Sequence, residues 1–397
     1  MHPKNVAVCI IVENLPLPFG RRTWQEAYTL AQAGYRVSVI CPKGRGFEKS
    51  RETLEGIEIY RHRLWEASGP FGYLFEYAWA LISEFWLALK VYRRTRFRIL
   101  HATNPPDTVF LIALFFKLFG VRFIFDHHDL NPELYEAKFG KRGLFYRLVC
   151  LAERLTYRTA TVSIATNESY REIAIRRGGI PPARVFIVRS CPDLRNIHPQ
   201  PPKPELKHGK PLLVVYVGVM GPQDGLDLLL ESIGYIIGSA KRDDVAFVLI
   251  GAGTELPLLK DLAAQKGLDA HVKFTGRIPD AELAAYLSNA DVGVAPDPKN
   301  PMNDKSTMNK ILEYMAYGRP VVLYDLTEGR RSAEDAALYA RPNDPADFAR
   351  QILTLLDSED LRRTLGARGR KRIEQSLNWD IEKRALLKAY ETALRHE

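Results

Sequence analysis

The chain has 397 residues, more than one ordinary hydrophobic core supports, so the sequence predicts two domains of about 150–200 residues each. Apolar residues make up 46% and charged residues 26% of the chain, which excludes an intrinsically disordered protein. The net charge is +9, with +11 in residues 1–200 and −2 in residues 201–397. This asymmetry favours an anionic partner for the first half, either a membrane surface or a phosphorylated substrate. A nucleic-acid partner is not expected, because the sequence has no zinc-finger spacing, no RNP-like motif and no basic-zipper heptads.

Targeting and redox signals point to the cytoplasm. The start, MHPKNVAVCIIVE, enters a buried-strand pattern without the three regions of a signal peptide, and no apolar run reaches the ~18 residues of a membrane span. Four widely spaced cysteines lie in or beside apolar runs and are expected to be buried thiols. No cysteine–histidine spacing suggests a metal, so neither a metal nor another cofactor is expected.

In the first half, short β-branched runs alternate with amphipathic helical patterns. The predicted strands are 5–12, 36–41, 57–60, 98–101, 121–126, 160–165 and 184–189. The predicted helices are 21–33, 70–94, 107–119, 143–157 and 168–177.

A Pro-rich polar stretch at 198–211 then predicts a linker. Strand patterns resume at 212–218, 246–251, 272–276, 291–296 and 320–325, and a polar helical tail begins near 358. Repeated strand–helix–strand units with continuously apolar strands predict parallel sheets covered on both faces. The sequence therefore predicts an α/β protein made of two tandem doubly wound domains that face a cleft.

The loop 297–305 leaves a strand and leads into a helix predicted to start at Lys305. In doubly wound sheets, ligands bind beyond the carboxyl ends of the strands, where such loops lie. A helical wheel places polar residues on one stripe and Met308, Ile311, Leu312 and Met315 on the other. The polar stripe consists of Ser306, Asn309, Lys310 and Glu313. A solvated Lys–Glu pair would give the same pattern, and would be worth only ~0.2–0.5 kcal/mol.

This region resembles the large family of retaining glycosyltransferases known as family 4, or glycosyl transferases group 1, which has the GT-B fold of two Rossmann-like domains. The similarity is strongest in NDKSTMNKILEYMAYGRPVV, residues 303–322, and continues in VYVGVMGPQDGLDLLLES, VLIGAGTE, VKFTGRIPDAELAAYLSNADVGVAP and NWDIEKRALLKAYETAL. The resemblance implies an N-terminal acceptor-side domain at 1–198, a linker at 199–211 and a donor-binding domain at 212–375. It also implies that a terminal helix at 376–397 packs back on the first domain.

For the donor, the resemblance implies that Glu313 binds the ribose hydroxyls of a nucleotide-sugar. The helix start and Lys310 would serve the diphosphate. The remaining donor-binding residues that we expect are Gly218, Gly221, Gln223, Arg277, Lys305, Ser306 and Asn309.

The sequence also departs from the family pattern. Lys305 stands where the family usually has a second glutamate, and the usual arginine and lysine of the phosphate clamp fall near Val219 or Met220 and at Asp224. We therefore expect Lys305 and Lys310, with Arg277, to neutralise the donor phosphates.

In the first half, FDHHDLNPELYEAKF at 125–139 resembles a lipid-linked-sugar branch of the family. By that resemblance His128 would lie near the donor sugar, and Asp129 and Glu133 would bind or activate the acceptor hydroxyl. We count His128, Asp129, Lys310 and Glu313 as the catalytic candidates. The acceptor-binding candidates are Gly20, Arg21, Arg22, Asn104, His127 and Glu133.

The helix at 71–98 is rich in aromatic residues and ends in four arginines. Such a stripe is typical of a protein core, but with the basic first half it also favours attachment to an anionic lipid surface. The expected location is then the inner face of the cell membrane.

These features favour a hexosyltransferase that moves a sugar, from a UDP-sugar in the first instance, to a lipid-linked or surface-polysaccharide acceptor. Two alternatives stay open: a sugar-nucleotide 2-epimerase of the same fold, and an inactive nucleotide-sugar-binding partner. A hydride-transfer enzyme is disfavoured, because no G-x-G-x-x-G follows the first strand of either half.

Overall fold

A computed structural model describes residues 5–63, 70–140 and 142–395, the side chains of 70–77 and of Lys138 excepted. The chain divides into two compact units, Met1–Ser190 with Glu382–Glu397, and Cys191–Ile381. The division falls at Ser190, whereas the sequence analysis expected it at 198, and the terminal helix joins the first unit from Glu382 rather than from 376.

The first unit is built on an eight-stranded sheet with the order β3-β4-β2-β1-β5-β6-β7-β8. Its strands are β1 Ala7–Ile11, β2 Arg36–Pro42, β3 Arg51–Leu54, β4 Ile57–His62, β5 Ile99–Thr103, β6 Arg122–His127, β7 Val162–Ala165 and β8 Val185–Ile187. Its helices are α1 Arg21–Gln32, α2 Pro70–Thr95, α3 Phe110–Lys117, α4 Asn131–Phe139, α5 Leu144–Thr159 and α6 Glu168–Arg176. Every residue of β1 and β5 is buried, as expected for central strands of a parallel sheet that is covered on both faces.

One strand of this sheet is antiparallel and was not expected. The edge strand β3 pairs with β4 through a two-residue turn at Glu55 and Gly56, both of which have positive φ. Positive φ at both positions defines the type I′ turn, which matches the twist of a hairpin. Its sequence, RETL, is polar and half-exposed, so no apolar run marked it.

The second unit is a six-stranded, fully parallel sheet with the order β11-β10-β9-β12-β13-β14. Its strands are β9 Leu212–Val217, β10 Val245–Ile250, β11 Val272–Gly276, β12 Val292–Ala295, β13 Val321–Tyr324 and β14 Ala337–Ala340. Its helices are α7 Leu226–Gly234, α8 Leu256–Gln265, α9 Asp280–Asn289, α10 Asn309–Ala316, α11 Thr327–Ala333, α12 Pro345–Leu356 and α13 Glu359–Gln375, with α14 Trp379–Arg395 beginning here and ending in the first unit. Each unit thus has the doubly wound α/β fold that the sequence predicts.

The stretch predicted to be a linker is held on the second unit. The backbone N–H of Gln200 donates to Ser288 Oγ at 2.8 Å, and that of Lys203 donates to Asn289 Oδ1 at 2.7 Å. The proline-rich composition therefore marks an irregular segment along α9 and not a flexible connection.

The apolar stripe expected on α10 is confirmed, since Ile311, Leu312 and Met315 are buried in one core cluster and Met308 packs against it. Three cysteines are buried as expected, whereas Cys150 is only half-buried. In the described part of the chain, no helix combines the length and apolarity that a membrane crossing requires.

Candidate functional site

The second unit has a topological switch point between β9 and β12. These strands are neighbours, but the chain continues from β9 to β10 on one side and from β12 to β13 on the other. The loops that follow two such strands diverge and leave a crevice at their carboxyl ends, where doubly wound proteins bind ligands. Here these loops are residues 218–225 and 296–308.

A buried ion pair lies at this crevice. Lys310 Nζ donates to Asp297 Oδ1 at 2.7 Å, and the two side chains are 9% and 2% exposed. The ammonium also lies 4.8 Å from the ring centroid of Tyr216 at the end of β9, a cation–π distance. The second carboxylate oxygen of Asp297 is buried without a hydrogen-bond partner. Lys310 is thus a fixed cation against the loop that follows β9.

Glycines allow this loop to pack closely. A Cβ on Gly218 would lie 3.2 Å from Lys310 Cε, and a Cβ on Gly251 would lie 1.8 Å from the carbonyl oxygen of Gly218. A Cβ on Gly253 would lie 2.2 Å from the carbonyl oxygen of Met220. The backbones after β9 and β10 therefore touch directly, since the N–H groups of Gly218 and Met220 also donate to the carbonyls of Ile250 and Ala252. Little side-chain bulk is left at the mouth of the crevice.

The helix that carries Lys310 begins later than the sequence predicts. Residues Asn303–Lys305 form a 3-10 turn, and Ser306 has extended backbone angles, so α10 starts at Asn309. Asn300 Oδ1 accepts from the N–H of Met302 and Asn303, and Ser306 Oγ donates to the carbonyl of Met302. These side chains satisfy the backbone locally and compete with helix formation. Lys305 and Ser306 thus lie on the approach to the helix and not on its polar stripe.

Glu313 follows Lys310 by one turn of α10 and is half-buried. No side chain caps the helix at Met308, so the first N–H groups are not satisfied by a capping side chain. A positive helix end, a fixed ammonium and a carboxylate one turn later are thus arranged along one element.

The other predicted donor residues lie on loops that follow the carboxyl ends of the strands, except Asn309, which begins α10. The Gly221 N–H donates to Asp224 Oδ2 at 2.9 Å, and the half-buried Gln223 side chain covers Gly221. Asn303 Nδ2 donates to the carbonyl of Gln223 at 2.9 Å and thereby ties the two loops of the crevice together. Asn309 and Arg277 are exposed, and Arg277 follows the edge strand β11, two strands away from β9.

The first unit carries a second polar cluster at the carboxyl end of β6. Arg22 Nη2 lies 2.9 Å from Asp126 Oδ1 and 3.1 Å from Glu26 Oε1. His128 Nε2 lies 2.5 Å from Asp126 Oδ2 and 2.9 Å from Arg22 Nε. A ring nitrogen has one in-plane hydrogen-bonding position, so Nε2 serves one of these partners, and donation to the Asp126 carboxylate is the favourable one. Arg22, one of the acceptor-binding candidates, is thus neutralised inside the unit.

The protonation states of this cluster follow from burial and charge. Burial opposes ionisation of Asp126, but the charges of Arg22 and His128 and their hydrogen bonds hold its pKa well below the usual range. Burial and the charge of Asp126 raise the pKa of Glu26 well above its usual range. Burial lowers the pKa of His101, whose Nδ1 lies 2.6 Å from the hydroxyl of Tyr390. Within the cluster, Arg22 and His128 thus favour the ionised form of Asp126, whereas burial and Asp126 disfavour ionisation of Glu26.

Three side chains of this cluster are of types that coordinate metal ions. Oxygen or nitrogen atoms of Glu26, Asp126 and His128 lie within 4.8 Å of one another. The guanidinium of Arg22 already contacts all three side chains, however, and supplies the positive charge that a metal would bring. The group fits an internal salt bridge better than a metal centre.

Asn104 fixes the turn that presents His128. Its Oδ1 accepts from the N–H of His128 at 2.7 Å and of Asp129 at 3.1 Å, and its Nδ2 donates to Asp107 and to the carbonyl of Asp129. Asn104 is buried, while Asp129 is exposed. The position of Asn104 indicates that it holds this turn, whereas the sequence suggested that it contacts the acceptor.

The side chains of two other acceptor candidates already have partners inside the first unit. His127 is fully buried, its Nδ1 lies 2.6 Å from the hydroxyl of Tyr157, and burial with the charge of Arg177 lowers its pKa to about 3. Glu133 forms a two-pronged ion pair with Arg177, at 2.9 and 3.2 Å. Gly20 is buried at the start of α1, and Arg21 beside it is exposed.

Sequence reasoning did not identify Asp297, Asp126, Glu26 or His101. Asp297 and Asp126 both lie at or just after the carboxyl end of a central strand, a position that could have identified them. The partners Glu26 and His101 come from α1 and β5, and only the strand order brings them together.

Comparisons with known proteins identify the family of both units. A model of a glycosyl transferase 4-like domain matches residues 19–191, and a model of glycosyl transferases group 1 matches residues 211–358. The chain is similar to the phosphatidyl-myo-inositol mannosyltransferase of Mycobacterium leprae, with 30% identity over 173 residues, 43% of this chain and 44% of that protein. The matched region thus spans less than half the length of this relative.

Solved structures share the fold over nearly the whole chain. The sucrose-phosphate synthase of Thermosynechococcus elongatus has a TM-score of 0.81 at 18% identity, covering 98% of this chain and 99% of that chain. The HepE protein of Anabaena, solved with UDP and glucose, has a TM-score of 0.75 at 14% identity, covering 97% and 99%. The two domain models together match more than half of the sequence, and the chain belongs to the group 1 glycosyltransferases of GT-B fold.

Proposed function

We propose that the protein is a retaining hexosyltransferase that moves a sugar from a nucleotide donor to a lipid-linked or surface-polysaccharide acceptor. The donor that we expect is a UDP-sugar. The observation that carries the proposal is the fixed Lys310 ammonium against a glycine-rich loop at the β9/β12 switch point. The HepE structure contains UDP, and the named activity of the mycobacterial relative concerns a phosphoinositide, a lipid.

In the proposed reaction the bond between the anomeric carbon and the diphosphate oxygen breaks, and the electron pair leaves on the diphosphate. Lys310 and the first N–H groups of α10 stabilise the charge that develops there, as preorganised donors do in other active sites. Lys305, which precedes α10, adds a second cation. Glu313 accepts hydrogen bonds from the ribose hydroxyls.

The acceptor side belongs to the first unit in this proposal. His128 contacts the donor sugar, and the exposed Asp129 accepts the proton of the attacking acceptor hydroxyl. Glu133, the other candidate for this role, is already neutralised by Arg177.

The proposal is tested by thermal-shift measurements with UDP-, GDP- and ADP-sugars, followed by transfer of labelled sugar to lipid extracts. Donor binding raises the apparent stability by mass action. We expect Glu313→Gln to lose donor binding and transfer, while the exposed Glu282→Gln on α9 keeps both. Equal transfer by Glu313→Gln and wild type would refute the site. Isomerisation of the donor without acceptor would identify a 2-epimerase instead.

We further propose that the first unit attaches to an anionic membrane surface at the inner face of the cell membrane. Trp79, Ile82 and Trp86 on α2 are 46%, 54% and 62% exposed, and Leu118 after α3 is 80% exposed. The aromatic residues at 71–77, part of the sequence argument, lie outside the described side chains. Reversible lipid binding combines two signals, and the first unit has both: exposed apolar side chains and an excess of positive charge. Flotation with vesicles that contain anionic lipid tests this, and Trp86→Ser should weaken binding relative to wild type.

A further inference from the structure

The first unit contains a cavity of about 360 Å³ near the amino end of β6, whereas His128 follows the carboxyl end of that strand. Four of the residues that line it are cationic: Lys117, Arg122, Arg158 and Arg184. Arg122 is the first residue of β6, and His128 follows the last, which places the cavity about 16–20 Å from His128 at ~3.3 Å per residue. It is thus separate from the predicted acceptor residues.

The four cations have no acidic partners among the described residues. No acidic side chain lines the cavity, and none of the four forms an ion pair in the described part of the chain. Lys117 Nζ donates to the carbonyl of Thr159 at 3.0 Å, and Arg184 Nη1 to that of Thr161 at 3.5 Å. The chain usually pairs its arginines, as the contacts of Arg177 and Arg189 with two glutamates each show.

A simpler role for these residues is to cap the ends of helices. Lys117 is the last residue of α3, and Arg158 is in the last turn of α5, where cations commonly meet the helix dipole. A helix end offers only about half a negative charge, however, whereas four positively charged side chains line this cavity. Two adjacent glycines also line the cavity: a Cβ on Gly179 would meet nothing within 4 Å, whereas one on Gly178 would overlap the Tyr157 ring. Capping alone therefore leaves an excess of positive charge around an open volume.

We propose that this cavity is a binding site for a phosphate-type anion, distinct from the sugar-transfer site. Guanidinium groups bind phosphate oxygens in pairs through parallel N–H donors, and Arg122, Arg158 and Arg184 supply several such donors. The source of the anion is either free phosphate or the phosphate of a lipid headgroup. The proposal does not depend on the glycosyltransferase activity.

The test compares the full chain with two double variants of equal charge. Arg122→Gln/Arg158→Gln removes two cations of the cavity, whereas Arg147→Gln/Lys260→Gln removes two exposed cations that do not line it. Calorimetric titration with inorganic phosphate at constant ionic strength measures the affinity. We expect the cavity variant to bind phosphate about tenfold more weakly or worse, since each charge-assisted bond is worth roughly that factor, and the control to match wild type. Any phosphate bound by the donor loops contributes equally in all three proteins.

A second arm identifies the source of the anion. Vesicles of phosphatidylcholine with phosphatidylglycerol are compared with phosphatidylcholine alone in flotation. If the cavity variant loses both phosphate and anionic-vesicle binding, the ligand is a lipid headgroup, and if it loses phosphate binding alone, the ligand is a free phosphate. Equal phosphate binding by the cavity variant and the control overturns the proposal. Arg184→Gln, a single change at a partly exposed position, repeats the test if the double variant does not fold.

Discussion

Lys310 and Asp297 illustrate how one contact serves both stability and binding. Both side chains are buried, so removing one charge leaves the other without a partner in a poorly solvated site. The same ammonium lies against Gly218, where the proposed diphosphate would bind. Stability and donor affinity are therefore coupled at this residue, and a single substitution cannot separate them.

We predict that Lys310→Met lowers the free energy of unfolding by ~3–5 kcal/mol, because the Asp297 carboxylate is left buried and unpaired. Adding Asp297→Asn should recover most of that loss without restoring donor affinity, since no cation returns. Urea unfolding and calorimetric titration with UDP measure the two quantities. A double variant that binds UDP as well as wild type would remove Lys310 from the donor site.

Glu84 on α2 offers a prediction about pH. Burial, with the charge of Glu13, raises the pKa of Glu84 well above its usual range. The folded state therefore retains a proton that the unfolded state releases above a pKa of ~4.3, and stability falls by ~1.4 kcal/mol per pH unit from there to the folded pKa. Glu84→Gln should remove this cost, so its stability relative to wild type should rise between pH 6 and pH 8. Denaturant unfolding at the two pH values measures the change, with the exposed Glu282→Gln as a control. The same difference at both pH values would contradict the assignment.

At the scale of elements, the strands were predictable because burial on both faces makes them continuous apolar runs. β1 and β10, for example, differ from their predicted bounds by two residues or fewer at each end. Three elements that were not predicted lack that signal: β3 has no buried residue, β14 is buried only at its two ends, and α4 contains NPELYEAKF without a clear apolar stripe. Local polar contacts, not periodicity, set the true start of α10.

The candidate site was predictable only in part, for a related reason. Lys310 and Glu313 lie on one helix, so their spacing can be read from the sequence. Asp297 precedes Lys310 by 13 residues across an irregular loop, and Gly251 is brought to Gly218 by the pairing of β9 with β10. Neither contact is encoded by a periodic pattern. The same holds for Asp126, which pairs with Arg22 from a helix 104 positions earlier in the chain.

We predict that the contact between the loops after β9 and β10 depends on Gly251. Its φ of 141° is rarely adopted by other residues, and a Cβ there would overlap the Gly218 carbonyl. Gly251→Ala should therefore cost about 3 kcal/mol of stability and weaken UDP binding by displacing the loop. Gly238→Ala is the matched control, because a Cβ at that position meets nothing within 4 Å. Thermal unfolding and UDP titration of both variants test this, and equal behaviour of the two would disprove the proposed loop contact.

At the scale of the whole molecule, the first unit is discontinuous in sequence and the second is continuous. The chain leaves the first unit after Ser190 and returns to it at Glu382. The returning segment supplies buried partners: the hydroxyl of Tyr390 lies 2.6 Å from His101 Nδ1, and Glu382 accepts from the N–H of Arg189 at 2.9 Å. Residues that lie 289 and 193 positions apart in the chain thus complete one core.

This arrangement predicts different behaviour for two truncated proteins. Residues 191–381 contain the whole second sheet and should fold cooperatively alone and bind UDP. Residues 1–190 should be much less stable, because His101 and Arg189 lose buried partners and the apolar face that α14 covers becomes exposed. Tyr390→Phe in the full chain isolates one of these losses: it removes the hydroxyl from His101 and should cost ~1–3 kcal/mol, the cost of an unsatisfied buried polar group. Circular dichroism during urea unfolding measures each protein, with a peptide of residues 379–395 added to the 1–190 fragment. If that fragment is as stable alone as with the peptide, the terminal helix does not complete the first unit.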